Sequence, residues 1–112
     1  MAKKKETVFK EKVLKRLRAI PHTWVCKVQQ VSKVGTPDIL ICLAGAFIVI
    51  ELKTDEGVLS EIQKFNLQKI GSCGGIAMVV FPANFIESMT FLESIARDMG
   101  KSLVTNDVVG LL

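Results

Sequence analysis

The sequence predicts an α/β fold in which a mixed β-sheet is flanked by helices, in the order helix, strand, strand, strand, helix, strand, helix (α-β-β-β-α-β-α). Three observations carry this expectation. Near the start, Phe9, Val13, Leu17 and Ile20 recur at helical spacing. Two apolar runs rich in β-branched residues, 39–43 and 47–50, flank the turn-like pair Ala44-Gly45. A helical pattern over 60–70 then separates the second run from a short apolar stretch at 76–81. A strand, a crossover helix and a strand in that order place the two strands parallel.

Composition bounds the rest. With 112 residues, 49% of them apolar and 23% charged, the chain is expected to form one folded domain over 1–112. Residues 1–5 are expected to form a basic, flexible tail. No apolar run reaches the ~18 residues of a membrane span, because Glu51 and Lys53 interrupt the longest one. The opening Met1-Ala2-Lys3-Lys4-Lys5-Glu6 has no apolar stretch behind it and does not read as a signal peptide. The expected location is the cytoplasm.

The first helix is expected from Glu6 to Ala19, ended by Pro21. Its basic side is dense: Lys3, Lys4, Lys5, Lys10, Lys12, Lys15, Arg16 and Arg18 crowd the first eighteen residues of a chain with net charge +4. This reads either as a solvated face or as a surface that tracks phosphates. At roughly 100° per residue, Glu6 falls about 60° from Phe9, within the apolar stripe, whereas Glu11 falls on the solvent side. Glu6 is thus the helix carboxylate able to face the strands, although it also suits a first-turn acid that complements the helix dipole.

A first strand is expected over 23–31, followed by a loop through Gly35. Trp24 reads as a core or rim anchor rather than a base-stacking platform, since aromatics make up only 6% of the chain. Pro37 stands at the entrance of the second strand, where it removes no ladder hydrogen bond. Ser60-Glu61-Ile62-Gln63 matches a capping box, with Gln63 reaching back to Ser60, and Gly71 is expected to close that helix. A last helix is expected over 84–99 with Phe85, Met89, Leu92, Ile95 and Ala96 inward, ended by Gly100. The apolar tail 103–112 suits a closing strand or burial against a second subunit. Cys26, Cys42 and Cys73 lack a Cys-x-x-Cys pair and are expected as buried reduced thiols. The single His22 follows Pro21 in a loop and has no identifiable partner.

Charge at the mouths of the two central strands is the distinctive feature. A turn centred on Ala44-Gly45 pairs Cys42 with Phe47 and Leu40 with Val49, and the same register sets Asp38 opposite Glu51; a three-residue turn would break it. Directly opposed residues share a face, and side chains alternate with a period of ~2, so Asp38, Glu51 and Lys53 gather on one surface. Two opposed carboxylates repel unless a cation lies between them, and a divalent metal meets that need. Lys53 could orient a water molecule or neutralise charge on a phosphate, or could simply pair with a carboxylate.

Pro37-Asp38 followed by Glu51-Leu52-Lys53 resembles the PD-(D/E)xK nuclease superfamily. Gly35-Thr36-Pro37-Asp38, Ile50-Glu51-Leu52-Lys53-Thr54, Gly57-Val58-Leu59-Ser60-Glu61-Ile62-Gln63 and Gly74-Gly75 before an apolar strand resemble, within it, the virus-type replication-repair nuclease (VRR-NUC) family. The resemblance implies a restriction-endonuclease-like fold and Mg²⁺- or Mn²⁺-dependent hydrolysis of DNA phosphodiesters. It implies that Asp38 and Glu51 hold the metal with the Leu52 carbonyl, that Glu6 reaches it directly or through water, and that Gln63 stands near the site. The likeness to small viral members implies a homodimer acting on branched DNA such as Holliday junctions. The alternative is a catalytically silent nucleic-acid-binding or scaffolding module of the same fold.

Overall fold

The computed structural model describes residues 4–29, 33–54 and 57–100. The elements are α1 (Lys5–Arg18), β1 (Thr23–Lys27), β2 (Ile39–Leu43), β3 (Ala46–Leu52), α2 (Glu61–Ser72), β4 (Ile76–Val80), a short 3-10 turn (Pro82–Asn84) and α3 (Phe85–Gly100). They make a mixed α/β structure with a four-stranded sheet in the order β1-β2-β3-β4. β1 and β3 run antiparallel to β2, and β4 runs parallel to β3, as the crossover through α2 requires.

The β2–β3 register is the expected one: Ile39 pairs with Ile50, Leu40 with Val49 and Cys42 with Phe47. Ala44 and Gly45 both adopt positive φ, 49° and 89°. A two-residue hairpin turn with the right-handed strand twist requires that conformation at both positions. The alternation of side chains then fixes two faces. Ile39, Ile41, Leu43, Ile48, Ile50 and Val80 form one face, buried against Val13 and Leu17 of α1 and Met89 and Leu92 of α3. Phe9 and Phe85 meet edge to face, 6.2 Å between centroids, where the two helices join. Each such fully buried aliphatic side chain contributes about 1.5–3 kcal/mol. Glu51, of opposite parity to Ile50, lies on the other face, where α2 packs.

Several boundaries differ from expectation. β1 ends at Lys27, with one further bond from the Val28 amide to the Asp38 carbonyl at 2.9 Å. Its partner strand begins only at Ile39, so the ladder ends there; residues 30–32 lie outside the described region. α2 continues through Gly71 to Ser72, and the reversal occurs at Gly74, whose φ is +98°. Gly71 does not adopt the left-handed conformation that commonly follows a helix end, whereas Gly74 does. α3 starts at Phe85 because Asn84 is occupied in the preceding turn, accepting from the Phe81 amide at 2.7 Å and donating to the Val79 carbonyl at 3.0 Å. The expected basic tail is shorter, since Lys4 is the N-cap of α1 and Lys5 is helical. The expected tail 103–112 lies outside the described residues.

The thiols and Trp24 are corrected. Cys42 and Cys73 are exposed, Cys26 is partly so, and all three are free. Trp24 is 63% exposed and does not anchor the core. Trp24 pairs with Cys42 and Cys42 with Phe47, so these three form a row on the sheet face opposite the core, at its hairpin end, whereas Cys73 caps the end of α2. Apolar composition alone does not reveal which sheet face is left uncovered.

Candidate active site

At the end of the sheet opposite the hairpin, the ladder between β2 and β3 stops at Ile39–Ile50. Beyond it the Leu52 amide, which would otherwise lack an acceptor from β2, donates to Asp38 Oδ2 at 2.8 Å. Asp38 is therefore held on both sides, its carbonyl by the Val28 amide and its carboxylate by β3. The carboxylate replaces a main-chain acceptor, and this fixes its direction.

Glu51 lies next to it and is only 3% exposed. Its Oε1 accepts from Gln63 Nε2 at 3.0 Å, and Lys53 Nζ lies 3.9 Å from the same oxygen. Oε2 is buried with no hydrogen-bond partner. Burial first, then the negative charge of the neighbouring Asp38 and a hydrogen bond that Asp38 accepts from the protonated form, together push the Glu51 carboxyl up from 4.5 to about 7, against the opposing pull of Lys53 and Lys10. A buried carboxylate oxygen without a donor, beside a second carboxylate, is an unfavourable arrangement unless a proton or a cation occupies it.

The expected grouping of Asp38, Glu51 and Lys53 on one side is therefore present in the geometry. Gln63 caps α2 as expected and also contacts Glu51. Its Oε1 accepts from the Ser60 amide at 2.9 Å, its own amide donates to Ser60 Oγ at 3.2 Å, and its Nε2 faces Glu51. An amide has a donor and an acceptor side, so capping and site contact use different atoms.

A cleft of about 300 Å³ opens at this end of the sheet, lined among others by Glu6, Phe9, Lys10, Asp38, Leu52 and Lys53. Glu51, being buried, is not part of its lining. Glu6 is exposed and faces the cleft from α1, but it does not join the carboxylate pair. Among the described residues no three Cys, His, Asp or Glu side chains form a metal-binding group. Direct ligation by Glu6 is thus not built into this arrangement, and a contact through water is the route its position allows.

The donor set nevertheless suits a hard divalent ion. Mg²⁺ commonly takes only one or two carboxylates and keeps several waters, and the unpartnered Glu51 Oε2 beside Asp38 offers such a pair of oxygens.

Three further residues contribute to this end of the sheet. Lys10 stands one turn beyond Glu6 and brings a second cation to the cleft. Gly57 packs on the Lys53 stem, where an added Cβ would lie 3.0 Å from Lys53 Cδ. Asn66 is buried one turn beyond Gln63. Helical spacing from Glu6 and from Gln63 was the available signal for Lys10 and Asn66. His22 sits in the α1–β1 turn at the far end of the sheet, away from this cluster, with φ 60°.

The fold and site define a mixed α/β protein with two carboxylates, an amide and a lysine at one sheet end. No protein-family model matches the chain, and no curated protein sequence matches it.

Proposed function

We propose that this protein is a metal-dependent DNA nuclease with a restriction-endonuclease-like arrangement, of the kind its motifs resemble in the VRR-NUC family. The observation that carries the reading is the buried Glu51 beside the partly buried Asp38, with Glu51 Oε2 unpartnered and Lys53 Nζ 3.9 Å from Oε1. Asp38 and Glu51 would hold Mg²⁺ or Mn²⁺, with the Leu52 carbonyl completing the protein ligands and Glu6 acting through water. Bound there, a divalent ion supplies Lewis acidity toward a phosphate oxygen and makes a coordinated water easier to deprotonate.

The chain's own residues supply the rest. Lys53, half-buried and fixed against Gly57, presents an ammonium to the cleft, where it orients water or offsets negative charge that develops on the phosphate under attack. Gln63 holds the Glu51 carboxylate by one oxygen and leaves the other free. Lys10 adds a cation on the opposite wall, suited to a phosphate backbone. Branched DNA as substrate and a homodimeric state rest on the likeness to viral nucleases alone.

The test incubates the purified protein with linear, flapped and four-way-junction DNA in Mg²⁺, Mn²⁺ or chelator, beside Asp38→Ala and Lys53→Ala. The expected result is metal-dependent cutting that either substitution abolishes while DNA binding persists. Cutting by Asp38→Ala would refute the site. Binding without cutting in every metal would leave a silent nucleic-acid-binding module.

A further inference from the structure

Two polar side chains of α2, one turn apart, make contacts outside their own helix. Gln63 holds Glu51. Asn66, one turn further along, is 5% exposed, and its Nδ2 donates to the Val34 carbonyl at 3.1 Å. A buried amide left without a partner costs about 1–3 kcal/mol, so this bond ties the loop to the helix.

That carbonyl precedes the turn that delivers Asp38. Gly35, with φ +81°, redirects the chain into Thr36-Pro37-Asp38. A Cβ at Gly35 would lie 2.8 Å from Asn66 Nδ2, 3.0 Å from Ile62 Cγ1 and 3.1 Å from the Ile62 backbone carbon. The loop therefore rests directly on α2 with no room for a side chain. Thr36 Oγ1 donates to the Lys33 carbonyl at 2.7 Å and closes the loop on itself. The β2–β3 ladder ends at Ile39–Ile50, so the chain before Asp38 is placed by α2 and not by that ladder. One helix thus bears on both carboxylates: directly on Glu51 through Gln63, and on the loop that leads into Asp38 through Asn66 and Gly35, while Asp38 itself is held by the Val28 and Leu52 amides.

We propose that Asn66, seated against Gly35, is a positioning residue that sets Asp38 at the correct separation from Glu51 for a divalent cation. The inference rests on the metal-site reading above. Residues that orient ligands without touching the ion typically change its affinity by about 10–100-fold when replaced. The main core lies on the opposite face of the sheet, so the latch can be loosened without removing the fold's principal support.

The experiment titrates Mn²⁺ into the intact, metal-free chain by calorimetry, for wild type, Asn66→Ala, Asn66→Ser and Gly35→Ala, and measures each Tm in chelator. The expected result is that each folded variant binds Mn²⁺ about tenfold or more weakly than wild type. Excess Mn²⁺ should restore kcat for cutting in the Asn66 variants, which a loss of stability alone would not produce. Lowered Tm with unchanged Mn²⁺ affinity in the variants overturns the inference and leaves the nuclease reading standing. A wild-type chain that takes up no Mn²⁺ overturns both. Should Asn66→Ala fail to fold, Asn66→Ser and Gly35→Ala are judged by the same two outcomes.

Discussion

Gln63 Nε2 donates to Glu51 Oε1 at 3.0 Å while the same amide's oxygen accepts from the Ser60 N–H at 2.9 Å, so one side chain ends a helix and holds a buried acid. The two jobs separate by mutation. Ser60→Ala removes only the hydroxyl that accepts from the Gln63 amide and should cost about 1 kcal/mol, with Mn²⁺ affinity unchanged. Gln63→Leu removes the acceptor for the Ser60 amide and the Glu51 donor together, leaving the Ser60 hydroxyl bond in place, and should lower both Tm and Mn²⁺ affinity. Equal Mn²⁺ titrations for the two variants would reduce Gln63 to a helix cap.

Asp38→Asn retains the shape of the side chain and an oxygen able to accept from the Leu52 amide, now at 2.8 Å. Stability should therefore change little. The negative charge beside Glu51 is gone, however, and the Glu51 carboxyl should titrate below its present value of about 7. Carbon-detected NMR of the Glu51 side chain against pH measures this. An unchanged midpoint would show that Asp38 does not act on Glu51.

The first helix illustrates what the sequence makes legible. Phe9, Val13, Leu17 and Ile20 are all buried, because a 3.6-residue period leaves one stripe for the core. The β2–β3 register followed as well, since only Ala44-Gly45 could turn, and that register carried Asp38 to Glu51. Trp24 was misread because alternation assigns a residue to a face without saying what covers that face. The contacts of Asn66 and Lys10 are not legible in the sequence for a related reason. Their roles depend on which loop or strand end lies across from the helix, which no local pattern contains.

The contrast between Leu17 and Trp24 can be measured. Leu17 is fully buried between α1 and the sheet, and Leu17→Ala should destabilise by about 2–5 kcal/mol. Trp24 is larger, but it is mostly exposed, and Trp24→Ala should fall within about 0.5 kcal/mol of wild type. Denaturant melts in chelator compare them. A large loss at Trp24 would show that its face is covered in solution.

Lys10 lines the cleft, whereas Lys15 lies exposed on the same helix. If the cleft receives a DNA backbone, Lys10→Ala should reduce the slope of log affinity against log salt by about 0.9, the loss of one phosphate contact. Fluorescence anisotropy over a range of salt concentrations, with a cleavage-dead Asp38→Asn background, reads this directly. Lys15→Ala serves as the comparison. An identical slope for Lys10→Ala and its parent would place the bound backbone elsewhere.

The raised Glu51 carboxyl gives the site a pH signature whose sign is fixed. Between the ordinary 4.5 and about 7, the folded chain retains a proton that the unfolded chain has released. The unfolded state thus binds fewer protons, and this group's contribution to stability falls as pH rises through that window and levels off above about 7. A divalent ion competes for the same position, since it needs the ionised pair. Mn²⁺ affinity should therefore rise with pH up to about 7, by about tenfold per unit for one displaced proton, and then flatten. Wild type and Glu51→Gln, melted in chelator from pH 5 to 8, isolate the first effect as the difference between their curves. Calorimetric Mn²⁺ titration of wild type over the same range measures the second. A wild-type curve that gains stability relative to Glu51→Gln between pH 5 and 7 would mean that Glu51 is ionised and stably paired in the folded chain, with no place left for an ion.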